Sequence, residues 1–225
     1  MVKAVIFDMD GLMLDTERYG EQFHRRALEE RGIPFLEEVT PLITGRSHTE
    51  VRRILLESYG ADYPFEEVRT RIGQLWEEYL SQNPVPVKPG LFQLLEYLRE
   101  REIPAAVATS TARAIALSRL EKAGIAPYLA AMVFGDMVER SKPEPDIFLA
   151  AAEKLRSRPA QTMVLEDSPN GILAAHRAGM MPVMIPDLLP PDEALLTLLY
   201  RRLDRLDQVI SLLEGPVKEE NAHVQ

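Results

Sequence analysis

The 225-residue sequence has no cysteine, which excludes disulfides, thiolate nucleophiles and cysteine-ligated zinc and favours an intracellular, cytoplasmic setting. Long apolar runs are missing as well. The first, Ala4 to Phe7, is cut off by Asp8, far too short for a signal peptide or a membrane span, and no later stretch reaches membrane length. There is also no block of basic charge. Lys and Arg number 26 against 35 Asp and Glu, for a formal net charge of -9, a poor fit to nucleic acid or an anionic membrane that still allows one local basic pocket for a phosphate. Neither an internal repeat nor a low-complexity tract is present.

What remains is an ordinary globular composition, 46% apolar and 27% charged, at a length that suits one core domain carrying an insertion. Five short unbroken apolar runs, 4–7, 105–108, 131–134, 163–165 and 183–185, read as strands buried on both faces. Helical spacing fills the gaps between the later ones: Leu91, Leu94, Leu95 and Leu98; Ala116, Leu120 and Ala123; Phe148, Ala151, Ala152 and Leu155. The alternation predicts right-handed βαβ units, hence an α/β fold with a doubly wound parallel sheet.

One interval breaks this rhythm. From about Thr16 to Gln82 there are several helical patterns and no convincing buried strand, so an inserted helical domain is expected there. Tyr19, Phe23 and Ala27 would form the stripe of its first helix, and further helices would fall near 48–59 and 66–81. The proline-dense segment 83–90 marks the return. The resulting division is a core of 1–15 and 84–225 with a helical cap of 16–83. A last helix, with Leu206, Val209, Ile210 and Leu213 on one face, is ended by Gly215-Pro216, and the polar tail beyond is expected to be disordered.

Ligands of open α/β sheets gather at the carboxyl ends of the strands. Asp8-Met9-Asp10-Gly11 follows the first run, Thr109-Ser110-Thr111 follows the second, and Glu166-Asp167-Ser168 lies near the end of the fourth; Lys142 is on the connection after the third. Taken singly these residues have bland readings: Asp-x-Asp as solvated loop acids, Thr109 to Thr111 and Ser168 as helix caps, Gly11 as relief of a tight turn, Lys142 as a surface lysine. Their joint order argues otherwise. An acid ending a buried strand sits where it must be paired, metal-bound or protonated. If Asp8, Asp10, Glu166 and Asp167 converge, each pair about 4 Å apart repels by roughly 4 kcal/mol at an effective dielectric near 20. Such a cluster needs cations; Lys142 is one, and hard oxygen donors without histidine or thiol select Mg²⁺ over zinc.

A carboxylate nucleophile, a hydroxyl, a lysine and Mg²⁺ make up a phosphoryl-transfer site. Asp8 would attack phosphorus to give an aspartyl-phosphate, Asp10 would move the proton, and Thr109 and Ser110 with Lys142 would hold the phosphoryl oxygens.

These residues resemble the haloacid dehalogenase-like hydrolase superfamily, in its phosphatase and β-phosphoglucomutase-like branch. Phe7-Asp8-Met9-Asp10-Gly11 with Leu14-Asp15-Thr16-Glu17 is similar to its first motif, Thr109 to the second, Lys142-Pro143-Glu144-Pro145-Asp146 to the third, and Glu166-Asp167-Ser168-Pro169-Asn170-Gly171 to the fourth. The resemblance implies a Rossmann-like core and Mg²⁺ as cofactor. Asp8 would be the nucleophile, the backbone carbonyl of Asp10 and the Asp167 carboxylate would be metal ligands, and Glu166 a ligand or an outer partner. It further implies that the insertion is a lid hinged near 14–16 and 82–87. A small phosphorylated metabolite, sugar phosphate or nucleotide-like, would be the substrate of a monomeric phosphatase. Mutase activity is the alternative, but Gly20, Thr44 and His48 stand near places where the mutase pattern has other residues. Arg46, His48 and Thr111 are candidate substrate contacts, although an arginine standing alone, as Arg46 does, is more often a solvated surface charge. True dehalogenation and a catalytically silent binding role fit less well, because the catalytic positions of a phosphatase are all filled.

Overall fold

In the computed structural model, which describes residues 1–44, 48–188 and 190–215, each apolar run is a strand: β1 (Ala4–Phe7), β2 (Ala105–Thr109), β3 (Ala131–Phe134), β4 (Thr162–Glu166) and β5 (Met181–Met184). With a sixth short strand, β6 (Arg201–Arg202), they form one parallel sheet of order β3-β2-β1-β4-β5-β6. Strand order reverses on either side of β1, so the crevice of the sheet opens between the carboxyl ends of β1 and β4. Asp8 directly follows one of those strands and Glu166 ends the other. β6 escaped the apolar pattern because it consists of two exposed arginines that pair with β5 through the backbone, Val183 with Arg201 and Met184 with Arg202.

The helices are α1 (Thr16–Glu29), α2 (Thr40–Ile43), α3 (His48–Tyr59), α4 (Phe65–Leu80), α5 (Leu91–Glu100), α6 (Arg113–Lys122), α7 (Asp146–Lys154), α8 (Pro169–Arg177), α9 (Glu193–Leu196) and α10 (Gln208–Glu214). The strands need helices on both faces because β1, β2 and β4 are buried at every residue. Successive side chains of a strand point to opposite faces. Val5 and Phe7 thus join Leu94, Leu98, Leu120 and Val209 under α5, α6 and α10, while Ile6 joins Phe148, Ala151, Ala174 and Ala175 under α7 and α8. The last helix begins later than its pattern suggests, leaving Leu206 buried ahead of it, and Gly215 follows it at φ 78°. The tail from 216 lies outside the described residues. Among the described residues no helix is long and apolar enough to cross a membrane.

α1 to α4 enclose a separate apolar cluster that includes Ala27, Leu28, Val39, Leu55, Phe65, Val68 and Leu75. Tyr19 and Phe23 meet α4, with Phe23 edge-on to Trp76 at 5.0 Å and Tyr19 4.7 Å from Tyr79. Where the chain leaves and re-enters the sheet domain, the two crossings pair: Leu14 bridges Val87, the Asp15 N–H donates to the Pro86 carbonyl at 3.0 Å, and the Lys88 N–H donates to Met13 at 2.9 Å. Lys88 Nζ then ties this neck to the loop after β5, at 3.0 Å from Asp15 Oδ1 and 2.6 Å from Asp187 Oδ1.

One buried group in the helical layer makes stability depend on pH. His24 is buried and shares a 3.1 Å hydrogen bond with the Tyr63 hydroxyl; burial pushes its imidazole from 6.5 down to about 4. Between those values the unfolded chain takes up a proton that the folded chain refuses, so stability present above pH 6.5 is lost as pH falls toward 4. The expected loss is up to about 3 kcal/mol. Urea unfolding near neutrality and at about pH 4.5 will show a smaller acid loss in His24→Gln than in the parent; equal losses would show that His24 is not the cause.

Candidate active site

Every strand that reaches the crevice delivers a polar group to it. Asp8 is buried just after β1, and Lys142 Nζ, itself 4% exposed, donates to Asp8 Oδ1, to Glu166 Oε1 at 2.7 Å and to the Ala108 carbonyl at 3.2 Å. All three ammonium donors are therefore used. Glu166, with no exposed surface, accepts on its other oxygen from the backbone N–H groups of Asp167 and Ser168, both at 3.0 Å, and from Ser168 Oγ at 2.9 Å. Both oxygens of Glu166 are thus committed to holding Lys142 and the turn after β4. In that geometry Glu166 anchors the lysine and the turn after β4.

Two glycines permit this closeness. Gly11 has φ +83°, and a Cβ there would overlap the Asp167 carboxylate; a Cβ on Gly171 would overlap the carboxylate of Glu166. The loops after β1 and β4 therefore touch only because no side chain intervenes. Ser168 is the N-cap expected of it, accepting from the Gly171 N–H at 3.1 Å.

The carboxylate of Asp10 turns toward the helical layer. It accepts from Thr16 Oγ1 at 2.7 Å, from Thr111 Oγ1 at 2.6 Å and from Arg119 Nη1 at 2.9 Å. Thr111 is thereby an orienter of Asp10. Thr109, buried at the end of β2, accepts from the Thr111 N–H at 3.1 Å, which leaves its own proton free to donate. The capping reading of 109–111 does not hold: Ala112 is the N-cap of α6, and the Arg113 N–H donates at 3.3 Å to the carboxylate of Asp136 from a neighbouring loop.

Electrostatics follow burial. Desolvation pushes Asp8 up to about 8, against the pull of Lys142. Burial opposes the charge of Lys142 too, yet Asp8 and Glu166 outweigh it and hold the ammonium above its ordinary value. Asp167 is raised well above the usual carboxylate range by burial, then by Glu166, Asp8 and Glu17. Glu17 rises to about 7 through burial and the charges of Asp10 and Asp187.

A cavity of about 430 Å³ collects Asp8, Asp10, Thr109, Ser110, Thr111, Lys142 and Asp167 on its walls. Glu166 lies behind them, holding Lys142. Ser110 is exposed, and its carbonyl lies against Gly135. Arg46 and the side chain of His48 lie outside the described residues.

Arg119 was not legible in the sequence. Its guanidinium reaches from α6 to Asp10 and lies 4.7 Å from the ring centroid of Trp76 on α4, spanning sheet domain and helical layer. Position 119 sits beside the apolar face of α6 set by Ala116 and Leu120, where an arginine has the appearance of surface; only its place on the helix after the Thr109 motif could have hinted at more.

The donor set suits a divalent cation. Carboxyl groups of Asp8, Asp10, Glu17, Glu166 and Asp167 are met by Lys142 and Arg119, and burial holds Asp8, Glu17 and Asp167 above the usual carboxylate range, so a bound cation would favour their ionised forms. Among the described residues no group of three or more His, Cys, Asp or Glu stands ready to hold an ion. Mg²⁺ does not need one, since it is typically held by one or two carboxylates with water and phosphate oxygens completing its shell. Asp8 and Asp167 provide such a pair.

The family model of the haloacid dehalogenase-like hydrolases matches residues 2–179. A phosphorylated carbohydrates phosphatase of Thermotoga maritima is 36% identical over 183 residues, 80% of this chain and 82% of that protein. A probable pseudouridine-5'-phosphatase of Drosophila melanogaster is 35% identical over 192 residues, covering 83% and 82%. Among solved structures, a putative β-phosphoglucomutase from Thermotoga maritima superimposes with a TM-score of 0.77 at 32% identity, over 96% of this chain and all of that one (100%).

Proposed function

Because the chain belongs to the haloacid dehalogenase-like hydrolase family and is an enzyme of its phosphatase kind, we propose that it hydrolyses a small phosphate monoester through an aspartyl-phosphate on Asp8, with Mg²⁺ as cofactor. The observation that carries this is the burial of Asp8 at the crevice of the sheet, in contact with Lys142 and beside Asp167. The substrate is a phosphorylated metabolite of the carbohydrate or nucleotide-like kind that the relatives' names describe.

In this reading Asp8 attacks phosphorus in line, forming its bond as the bond to the leaving oxygen breaks. Thr109 and the loop at Ser110 donate to the phosphoryl oxygens, where charge is spread over three atoms, and Lys142 joins them by moving the donor it gives Asp8 to a phosphoryl oxygen as Asp8 bonds to phosphorus. Asp10 gives a proton to the departing alkoxide, and later takes one from the water that opens the aspartyl-phosphate. Thr16, Thr111 and Arg119 fix its carboxylate for both transfers. Asp8, Asp167 and the Asp10 carbonyl would hold Mg²⁺. Once bound, the ion keeps those carboxyl groups ionised against burial and neutralises charge on the phosphate. The helical segment 16–83 acts as the lid over a core of 1–15 and 84–225, hinged at the paired neck, and excludes water while the phosphoryl group is transferred.

A mutase-type transfer is the second reading, favoured by the likeness to a putative β-phosphoglucomutase. The test is free phosphate released from p-nitrophenyl phosphate with Mg²⁺, with EDTA, and with Mg²⁺ restored. Release is expected in the first and third conditions and to vanish in the second; release surviving EDTA would remove the metal from the mechanism. With β-glucose 1-phosphate, hydrolysis is expected to exceed formation of glucose 6-phosphate, and the reverse would establish the mutase.

A further inference from the structure

The chain has one tryptophan, Trp76, and its ring is the wall against which Arg119 lies, 4.7 Å from guanidinium carbon to ring centroid. The ring itself is fixed. Phe23 meets it edge-on at 5.0 Å and Tyr79 edge-on at 6.0 Å, Tyr19 lies 6.0 Å away, and Trp76 is buried. Both Trp76 and Arg119 line the cavity that holds Asp8 and Asp10.

Arg119 needs such a wall. Its long side chain starts on α6 and has many rotamers to lose, and Glu17 is a second carboxyl within the field of its charge. A planar guanidinium stacked on an aromatic face keeps one orientation, here the one that delivers Nη1 to Asp10 Oδ1 at 2.9 Å. Thr16 Oγ1 donates to the same oxygen at 2.7 Å. A guanidinium has no acceptor, so a proton on Oδ1 would face a donor that cannot receive it. Oδ2, to which Thr111 Oγ1 alone donates among the described residues, at 2.6 Å, is the atom left to carry the proton of the reaction. Arg119 thus decides which oxygen of Asp10 is the working one.

Resting on the phosphatase reading above, we propose that Trp76 and Arg119 form a positioning pair for proton transfer at Asp10: Trp76 aims the guanidinium, and the guanidinium reserves Oδ2 for the proton. In the first step the proton passes from Oδ2 to the oxygen that leaves phosphorus as Asp8 bonds to it. In the second, Oδ2 takes a proton from the water whose oxygen displaces Asp8 from phosphorus. Neither residue of the pair has a part in the attack on phosphorus, so its loss weakens the proton transfer and spares the displacement.

Two esters that share a nitrophenyl body separate these effects. p-Nitrophenyl phosphate releases a phenolate that departs without a proton, whereas p-nitrobenzyl phosphate releases an alkoxide that needs one. For the Mg²⁺-loaded enzyme kcat/KM covers the reaction only through loss of the alcohol, and the ratio of the two values does not depend on how much of a variant is active. In Arg119→Met the benzyl-to-phenyl ratio is expected to fall by at least about tenfold, in Trp76→Leu by about fivefold, and in Trp76→Phe, which keeps an aromatic face, by less than about twofold. The double variant carrying Arg119→Met and Trp76→Leu is expected to fall no further than Arg119→Met alone, since one residue acts through the other. An unchanged ratio in Arg119→Met or Trp76→Leu, equal falls in Trp76→Leu and Trp76→Phe, or an additive fall in the double variant overturns the inference while leaving the phosphatase intact. A parent enzyme that releases phosphate from neither ester overturns the phosphatase reading, and this inference with it.

Discussion

Asp8→Asn is expected to abolish the proposed Mg²⁺-dependent phosphate release, a fall of at least about 10⁴-fold in kcat, while the folded state survives. The amide has the shape of the carboxyl but no nucleophilic anion, so no covalent intermediate forms. Stability is spared for a reason visible in the site. Burial already pushes Asp8 up to about 8, so a neutral group at this position removes a desolvation cost, and Lys142 keeps Glu166 as its counter-charge. Phosphate release and the thermal midpoint, measured on one preparation, check both halves. Turnover within about tenfold of the parent would deny Asp8 its role.

Lys142→Met is expected to produce the second large effect, with activity and stability falling together. Removing this ammonium leaves Asp8 and Glu166 facing each other in a site where neither is solvated. Breaking a buried pair by deleting one partner costs about 3–5 kcal/mol, most of it the burial of an uncompensated charge. Methionine has a similar length and fills the place against the Phe148 ring, 4.8 Å from Nζ, so cavity formation contributes little. Adding Glu166→Gln removes the stranded charge. Denaturant unfolding is expected to recover much of the loss in the double variant, while phosphate release stays absent because the phosphoryl oxygens still lack their donor. A single variant as stable as the parent would mean that Glu166 is not held by Lys142 in the way described.

The sheet was legible because each of its five main strands is a short run of apolar residues closed by a change of polarity, and in open α/β sheets ligands gather at that edge. Asp8, Thr109 and Glu166 stand one step past, at, or inside such an edge, so the same pattern that located strands located the candidate site residues. Legibility failed where contact depends on direction in space. Arg119 reaches Asp10 because α6 passes over the crevice, and Thr16 and Thr111 close on the same carboxylate from opposite sides; no spacing in the sequence encodes three partners for one acid. Glu166 and Asp167 are adjacent acids with different work, one saturated by Lys142 and backbone donors, the other left facing Asp8. β6 was invisible because an edge held by backbone pairing to β5 leaves no trace in side-chain hydrophobicity.

The neck at Leu14 and Val87 has a consequence for how such a chain can change. Because the departing and returning backbones already lie side by side, the helices between them form a closed loop attached at one point. The entropic cost of closing a loop rises only slowly with its length. Helices can therefore be lengthened, shortened or exchanged as a cassette without pulling on the strand that ends just before Asp8. Under the proposed function, the chemistry would stay with the sheet while the choice of alcohol is free to drift.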